Sequence, residues 1–264
     1  MKKTLFVFKT HFIEKYVVDE FIKLQNSLNA FEEALLFIDN HKCTLGQKFQ
    51  NPINEIYLYN KPIKCFIFDE NIFNKFKLPS YTDNPQNCLL ENVMWYCSDY
   101  PYYILNYYLP EYDYYWNIEY DVYCNGNSYR EFIDEYSKNK ADFLASHYEK
   151  LTQNSDWHWK NNSDWIYKNK PLYKSFFPVT RLSSNAINFL YKQRLKHSEI
   201  FKNLTNYESN RWIFTELFVP TELSNNSFIC EEIKNQYLRY MPVYNLNKER
   251  IFENPDYKLY HPVK

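Results

Sequence analysis

Glycine is almost absent from this sequence: its 264 residues include two, against an average usage of about 7%. Glycine-rich loops that cradle phosphates need several glycines at fixed spacing. Neither a G-x-G-x-x-G fingerprint nor a Walker motif exists here. These two kinds of glycine-rich nucleotide site are therefore excluded.

The sequence also lacks C-x-x-C cysteine pairs, a large net charge and long apolar runs. Its six cysteines form no C-x-x-C pair, which favours reduced thiols. With 31 basic and 32 acidic residues, the net charge of -1 gives no indication of a nucleic-acid partner.

The apolar runs of the sequence are short. Lys9 interrupts the first of them, which predicts a strand rather than a signal peptide, and no stretch is long enough to span a bilayer. We expect a cytoplasmic protein, at most peripheral to the inner face of the cell membrane.

Apolar runs and helical periodicity alternate through the first half of the chain. Strands are predicted at residues 5–9, 34–38, 55–59 and 65–68, and a helix is predicted over 17–28. Such alternation indicates an α/β fold with a mainly parallel central sheet flanked by helices. Ligands of such sheets bind beyond the carboxyl ends of the strands. No repeat marks a boundary, so a single domain is expected.

The second half predicts further helices and strands around one long loop. Helices are predicted at residues 89–96, 102–109 and 129–136, from Ser184 and from Pro220, and strands are predicted from Tyr112 and at 141–146. Residues 153–170 have no clear period and predict a loop. Long loops inside a compact domain are often functional lids.

Two carboxylates, Glu119 and Asp121, stand one residue apart where the strand from Tyr112 ends. On an extended backbone they project to the same side, because side chains alternate with a period of two. Mg²⁺ and Mn²⁺ favour oxygen ligands, and Mg²⁺ is commonly held by carboxylates together with substrate phosphates. The pair predicts a site for a metal or a hydroxyl-rich ligand. A solvated strand end with two ordinary acids is the alternative.

The segment around these acids is Tyr-Tyr-Trp-Asn-Ile-Glu-Tyr-Asp-Val, residues 114–122. It resembles the acid-x-acid motif of GT-A nucleotide-sugar glycosyltransferases, in particular bacterial enzymes of capsule and lipooligosaccharide synthesis. The resemblance implies a single GT-A-like, Rossmann-like domain, with a nucleotide-sugar-binding half at 1–124 and an acceptor-binding half at 125–264. It also implies a nucleotide-sugar donor, a saccharide or lipid-linked glycan acceptor, and a Mn²⁺ or Mg²⁺ ion held by Asp121 and Glu119. The usual motif has Asp at both ends, and some GT-A enzymes work without metal, so the metal requirement stays open.

Two later segments carry further candidates. Glu216 lies between apolar residues, where burial raises a carboxyl pKa and suits a general base near neutral pH. The resemblance implies that role in an inverting enzyme. It also implies that the closing segment meets the donor, with His261 as a metal ligand and Lys264 as a phosphate contact. The alternatives are an exposed amphipathic face at Glu216 and a frayed chain end.

The remaining candidates for donor binding follow early strands and helix boundaries. By the same resemblance, Lys9, Thr10 and His11 leave the first strand where GT-A enzymes meet the nucleotide. Asp39 and Asp69 are alternative candidates for base or ribose, between which the sequence does not choose. Asp99 is a candidate for a ribose or sugar hydroxyl, although a helix cap explains it equally well. Arg181 can pair with phosphate through its guanidinium fork, but a structural ion pair is the commoner fate.

Other function classes compete with sugar transfer. Aromatic residues make up 20% of the chain, and the loop with Trp157, Trp159 and Trp165 could hold a glycan without chemistry, as in a glycan-binding protein on the same fold. Glycoside hydrolysis would need two facing carboxylates, which Glu119 and Glu216 could supply. Serine and zinc hydrolases fit poorly, because G-x-S-x-G and H-E-x-x-H motifs are missing. The sequence favours a glycosyltransferase.

Overall fold

A computed structural model describes residues 2–41, 44–46, 49–84, 88–204, 211–234, 237–240 and 258–263. The strands are Thr4–Thr10 (β1), Glu32–Asp39 (β2), Ile53–Leu58 (β3), Lys61–Phe68 (β4), Tyr114–Glu119 (β5), Tyr123–Cys124 (β6), Phe143–Lys150 (β7), Tyr173–Ser183 (β8), Cys230–Glu232 (β9), Leu238–Tyr240 (β10) and Leu259–His261 (β11). The α-helices are Lys15–Gln25 (α1), Glu70–Lys75 (α2), Leu90–Tyr96 (α3), Tyr100–Tyr108 (α4), Arg130–Tyr136 (α5), Asp164–Tyr167 (α6), Ser184–Lys202 (α7) and Thr215–Asn225 (α8).

Eight of these strands form one sheet in the order β3-β4-β2-β1-β5-β8-β7-β9. Strands β4, β2, β1 and β5 run parallel, and antiparallel strands β3 and β8 flank them. A smaller sheet joins β10, β11 and β6. The predicted α/β fold with a mainly parallel central sheet is confirmed.

Helices cover both faces of the large sheet, as the residues of β1 require. Leu5 and Val7 belong to one hydrophobic cluster, and Phe6 and Phe8 belong to another. A continuous apolar run of this kind suits a strand that is buried on both sides. Helices α4, α7 and α8 contribute to the first cluster, and α1 and α5 to the second. None of the helices in the described ranges is long and apolar enough to cross a membrane.

Strand β5 ends before Asp121, which differs from the prediction that Glu119 and Asp121 share one side of an extended strand. The strand stops at Glu119, and the Val122 N–H donates to the Glu119 carbonyl oxygen at 3.0 Å. Asp121 therefore lies in a turn and does not share a strand face with Glu119. The turn still directs both carboxylates to the same end of the sheet.

Pro220 lies inside α8 and not at its start, because the helix begins at Thr215. A proline inside a helix removes a backbone hydrogen bond and costs about 3 kcal/mol or more. Leu217 and Phe218 of the same helix are fully buried, and each such burial contributes about 1.5–3 kcal/mol. Burial of the helix offsets the cost and leaves Glu216 in its first turn.

The predicted loop over residues 153–170 contains a 3₁₀ helix at His158–Ser163 followed by α6. Trp165 stacks on Trp212 with ring centroids 5.9 Å apart. Its indole N–H donates to the Arg211 carbonyl oxygen at 3.0 Å. Packing against a distant part of the chain orders a segment that has no period of its own.

A buried ion pair joins α4, α7 and the start of α8. Arg194 donates from Nε and Nη2 to the two carboxylate oxygens of Asp99, both at 2.8 Å, and neither side chain is exposed. Arg194 Nη1 donates to the Ile213 carbonyl oxygen at 2.8 Å, and the hydroxyls of Tyr103 and Thr215 donate to Asp99. Burial raises the carboxyl pKa, but the guanidinium and these hydrogen bonds outweigh it and hold the pKa of Asp99 below its usual value.

We expect Arg194→Leu to lower the free energy of unfolding by about 3–5 kcal/mol, because Asp99 would remain buried and unpaired. Urea denaturation followed by circular dichroism measures the loss. Lys202→Leu is the control: it removes an exposed partner of Glu199 on the same helix and should unfold close to wild type. Equal losses in the two variants would contradict a stabilising role for the buried pair.

Candidate active site

A cavity of about 740 Å³ opens at the carboxyl ends of β1, β2 and β5. Ligand pockets span about 300–1,000 Å³, and this edge of a parallel sheet is where ligands bind. Neither glycine of the chain lines it, so side chains form its wall. The lining residues that can carry a charge are Lys9, His11, Asp39, His41, Glu91, Glu119, Asp121, Glu216 and His261.

Glu119, Asp121 and His261 meet at one side of this cavity. Nε2 of His261 lies 3.1 Å from Oδ1 of Asp121 and 3.8 Å from Oε2 of Glu119. One ligand atom from each residue lies within 4.8 Å of the others. The closing segment reaches this point because β11 pairs with β6, and the Val263 N–H donates to the Asp121 carbonyl oxygen at 2.8 Å. Strand pairing therefore holds His261 in the cavity wall.

These three side chains fit a divalent cation. Oδ1 of Asp121 is buried and, although Nε2 of His261 lies 3.1 Å away, it accepts no hydrogen bond of good geometry within the described part of the chain. Leaving a buried acceptor without a partner is costly. Two carboxylates and an imidazole are a suitable donor set for Mn²⁺ and related ions. A cation among them would satisfy Asp121 and offset the repulsion between the two acids.

Lys9 balances part of this negative charge. Its Nζ lies 2.9 Å from Oε1 of Glu119. The pairing of β1 with β5 sets this contact, since Lys9 and Glu119 are partners in the parallel register. Two residues further along the chain, burial lowers the pKa of His11, despite the opposing pull of Asp39. A neutral His11 at pH 7 adds no charge of its own.

Glu216 lines the same cavity from the first turn of α8. Its Oε1 accepts a hydrogen bond from the Phe177 N–H at 3.2 Å. Burial raises the pKa of Glu216 to about 8, and the charge of Glu119 adds to the rise. A carboxyl group with such a pKa can accept a proton from a hydroxyl near neutral pH. The side chain belongs to the cavity wall and not to an outer helix face.

Thr10, His11 and Asp39 line the cavity at the ends of β1 and β2. Oδ1 of Asp39 lies 2.6 Å from Nδ1 of His41, and Nε2 of His41 lies 3.5 Å from Oε2 of Glu91. His41 and Glu91 were not among the residues predicted from the sequence. His41 follows Asp39 by two residues, which was an available signal, whereas Glu91 comes from α3 and had none.

Three aromatic side chains, Trp95, Trp159 and Phe214, form an aromatic wall of the cavity. The ring centroid of Phe214 lies 4.6 Å from that of Trp159 and 5.6 Å from that of Trp95. Trp95 remains 63% exposed. Of these three, only Trp159 was a candidate from the sequence; aromatic residues occur throughout this chain, so nothing distinguished Trp95 and Phe214.

Two predicted donor-binding residues, Asp99 and Arg181, lie outside the cavity wall. Asp99 does not line the cavity, and its fully buried pairing with Arg194 corrects the prediction that it meets a sugar; it also makes no capping hydrogen bond to α4. Arg181 is buried, donates to the carbonyl oxygens of Asn139 and Ala141, and lies over the Tyr114 ring at 4.2 Å, so it is not available to a phosphate. Lys264 lies outside the described residues.

Comparison with known proteins identifies the fold. No model of a known protein family matches the sequence, and no curated protein matches it. The apo form of mouse xyloside xylosyltransferase 1 matches with a TM-score of 0.53 at 13% identity, covering 98% of this chain and 97% of that one. The galactosyltransferase LgtC, in complex with donor and acceptor sugar analogues, matches with a TM-score of 0.49 at 10% identity, covering 97% and 86%. The chain has the GT-A type of fold.

We expect Glu216→Gln to stabilise the protein at high pH. The folded-state pKa of about 8 lies above the ordinary value of 4.5. Between these values the folded state binds more protons, so wild-type stability falls as the pH rises through this window. At pH 9 the variant should gain about 1–3 kcal/mol in the free energy of unfolding, with little difference at pH 4.

Urea unfolding at both pH values tests this expectation. Glu199→Gln, at an exposed position of α7, is the matched control and should follow the wild-type pH dependence. The same pH dependence in Glu216→Gln and wild type would contradict a raised pKa at this site.

Proposed function

We propose that this chain is a glycosyltransferase that moves a sugar from a nucleotide-sugar donor to a saccharide or lipid-linked glycan acceptor. The observation that carries the proposal is the meeting of Glu119, Asp121 and His261 in the same cavity as Glu216, at the carboxyl end of β5. The mouse protein of the same fold is by name a xylosyltransferase, which supports sugar transfer. Fold alone does not establish activity, so the proposal depends on the site.

A diphosphate needs positive charge in this cavity. The described lining residues include five carboxylates and only one lysine or arginine, Lys9. Asp121 and His261, together with Glu119, would hold a Mn²⁺ or Mg²⁺ ion. Such an ion, when bound, neutralises the diphosphate and stabilises it as a leaving group. Lys264 would add a further positive charge near the phosphates.

The nucleoside would lie against the ends of β1 and β2. Thr10 and His11 line that part of the cavity, and Asp39 can accept hydrogen bonds from ribose hydroxyls or a base. We assign residues 1–124 to donor binding and residues 125–264 to acceptor binding. Both segments contribute to the cavity wall.

Glu216 would receive the proton of the acceptor hydroxyl if the reaction inverts the anomeric configuration. The acceptor oxygen then bonds to the anomeric carbon while the bond from that carbon to the diphosphate oxygen breaks. The diphosphate leaves with the bonding electrons, and the hydroxyl proton passes to the carboxylate. The aromatic wall would stack on the acceptor sugar and exclude water.

The resemblance of residues 114–122 to surface-polysaccharide enzymes supports a biological setting. We propose that the protein is bacterial and works in the cytoplasm on surface polysaccharide. A lipid-linked acceptor would bring it to the inner face of the cell membrane as a peripheral protein.

A panel of nucleotide sugars, assayed with and without Mn²⁺ for hydrolysis and for transfer to saccharides, tests the proposal. We expect one donor to be turned over. Asp121→Asn should lower kcat/KM by about 100-fold or more, because it removes a ligand of the charge that stabilises the leaving group. Asp19→Asn, on the outer side of α1, is the control and should retain wild-type activity.

The competing function is a glycan-binding protein, which the exposed Trp95 of the aromatic wall would suit. Calorimetry separates the two functions. Glycan affinity without any nucleotide binding, together with an inert donor panel and no effect of Asp121→Asn, would reject the transferase in favour of the binding protein.

The pH profile of the transfer reaction tests the role of Glu216. Because the base must be ionised and its pKa is about 8, kcat/KM should rise tenfold per pH unit below about pH 8 and level off above it. Glu216→Gln should lose this limb together with most of the activity. A wild-type profile that is flat between pH 6 and 9 would exclude Glu216 as the base.

A further inference from the structure

Lys9 and Glu119 occupy directly opposed positions on neighbouring parallel strands. The register of β1 and β5 pairs their Cα atoms, and Nζ of Lys9 lies 2.9 Å from Oε1 of Glu119. Both side chains are mostly buried, with exposed fractions of 15% and 22%. Strand pairing therefore fixes an ammonium group beside the acidic cluster, where solvent screens it less than at the surface.

The Glu119 carboxylate is shared between this ammonium group and the candidate metal site. Oε1 contacts Lys9, whereas Oε2 lies 3.8 Å from Nε2 of His261. Asp121 pairs with no lysine or arginine of the described residues; its buried Oδ1 lies 3.1 Å from Nε2 of His261 but makes no hydrogen bond to it. The two carboxylates are thus unequal as ligands.

The charge of a group next to a metal ligand determines whether that group strengthens or weakens metal binding by the ligand. Imidazole ligands are usually supported by carboxylates or carbonyl groups, which raise their basicity, whereas ligating carboxylates accept hydrogen bonds from donors. A lysine ammonium group is a donor with a full charge: it withdraws electron density from the carboxylate and repels a divalent ion a few ångströms away. Lys9 is also the only lysine or arginine among the described lining residues, so no other such side chain of the described cavity wall can take its place.

We propose that Lys9 is a built-in cation that competes with the divalent metal for Glu119. The site then binds metal weakly, mainly through Asp121 and His261, and Lys9 supplies part of the positive charge that a metal alone would otherwise provide. Lys9 thereby sets how strongly this site depends on metal. The inference builds on the metal site in the proposed function.

Mn²⁺ binding to the full chain without nucleotide tests this inference, by calorimetry or by the electron paramagnetic resonance signal of free Mn²⁺. Lys9→Met should bind Mn²⁺ about 10- to 100-fold more tightly than wild type, the range by which groups around a metal ligand change affinity. Lys9→Gln should do the same, and Lys9→Arg should stay weak because it keeps the charge. Circular dichroism verifies that each variant folds.

Lys64→Met is the matched control, since Lys64 pairs with Glu33 away from the cavity wall and its loss changes the net charge equally. It should leave Mn²⁺ affinity at the wild-type value. Glu119→Gln should weaken Mn²⁺ binding little in wild type but should abolish the gain of Lys9→Met.

The inference is overturned if the folded neutral variants bind Mn²⁺ no better than wild type, or do not bind it at all. A loss of affinity in these variants would instead make Lys9 a support for the ligand. The Mn²⁺ titration needs no sugar donor. A donor panel without turnover would therefore reject the transferase but not the role of Lys9. Conversely, unaltered Mn²⁺ affinity in the Lys9 variants would reject the role of Lys9 but not sugar transfer.

Discussion

The parallel alignment of β2, β1 and β5 is the constraint on which the candidate site depends. Strands that run parallel in register end at one edge, so residues distant in sequence meet there. Thr10 ends β1, Asp39 ends β2 and Glu119 ends β5. The same register sets Lys9 opposite Glu119. A slip by one residue would turn these side chains to the other face of the sheet and would disperse the cluster.

Sequence periodicity was sufficient to predict the early strands and the edge at which the cavity opens, because apolar runs and their polar ends are local features. It could not predict contacts made across long separations. Asp99 and Arg194 are 95 residues apart in the sequence. Because they pair in the core, Asp99 is not available to contact a sugar. The turn at Asp121 was also missed, since an acid-x-acid pattern does not distinguish a strand from its end. Glu91 reaches the cavity only through the packing of α3.

The buried ion pair between Asp99 and Arg194 lies outside the cavity, but it fixes the helix turn that carries a residue of the cavity wall. Arg194 donates to the carbonyl oxygen of Ile213, and the Thr215 hydroxyl donates to Asp99, so the first turn of α8 is fixed from inside the core. Glu216 is the next residue along the chain, and burial raises its pKa to about 8. The buried ion pair in the core and the carboxyl group in the cavity wall are thus connected through one helix turn.

The scarcity of glycine has a consequence for how this protein can diverge. Enzymes that bind their ligands through glycine-rich loops depend on backbone conformations that other residues rarely adopt, so few substitutions of these glycines are tolerated. Here the cavity wall consists of side chains on regular strands and helices, and neither glycine borders it. Exchanging His41 or Trp95 would reshape the cavity while the chain keeps its path. Gene duplicates of this protein would therefore be expected to acquire new ligand preferences through single substitutions on an unchanged backbone.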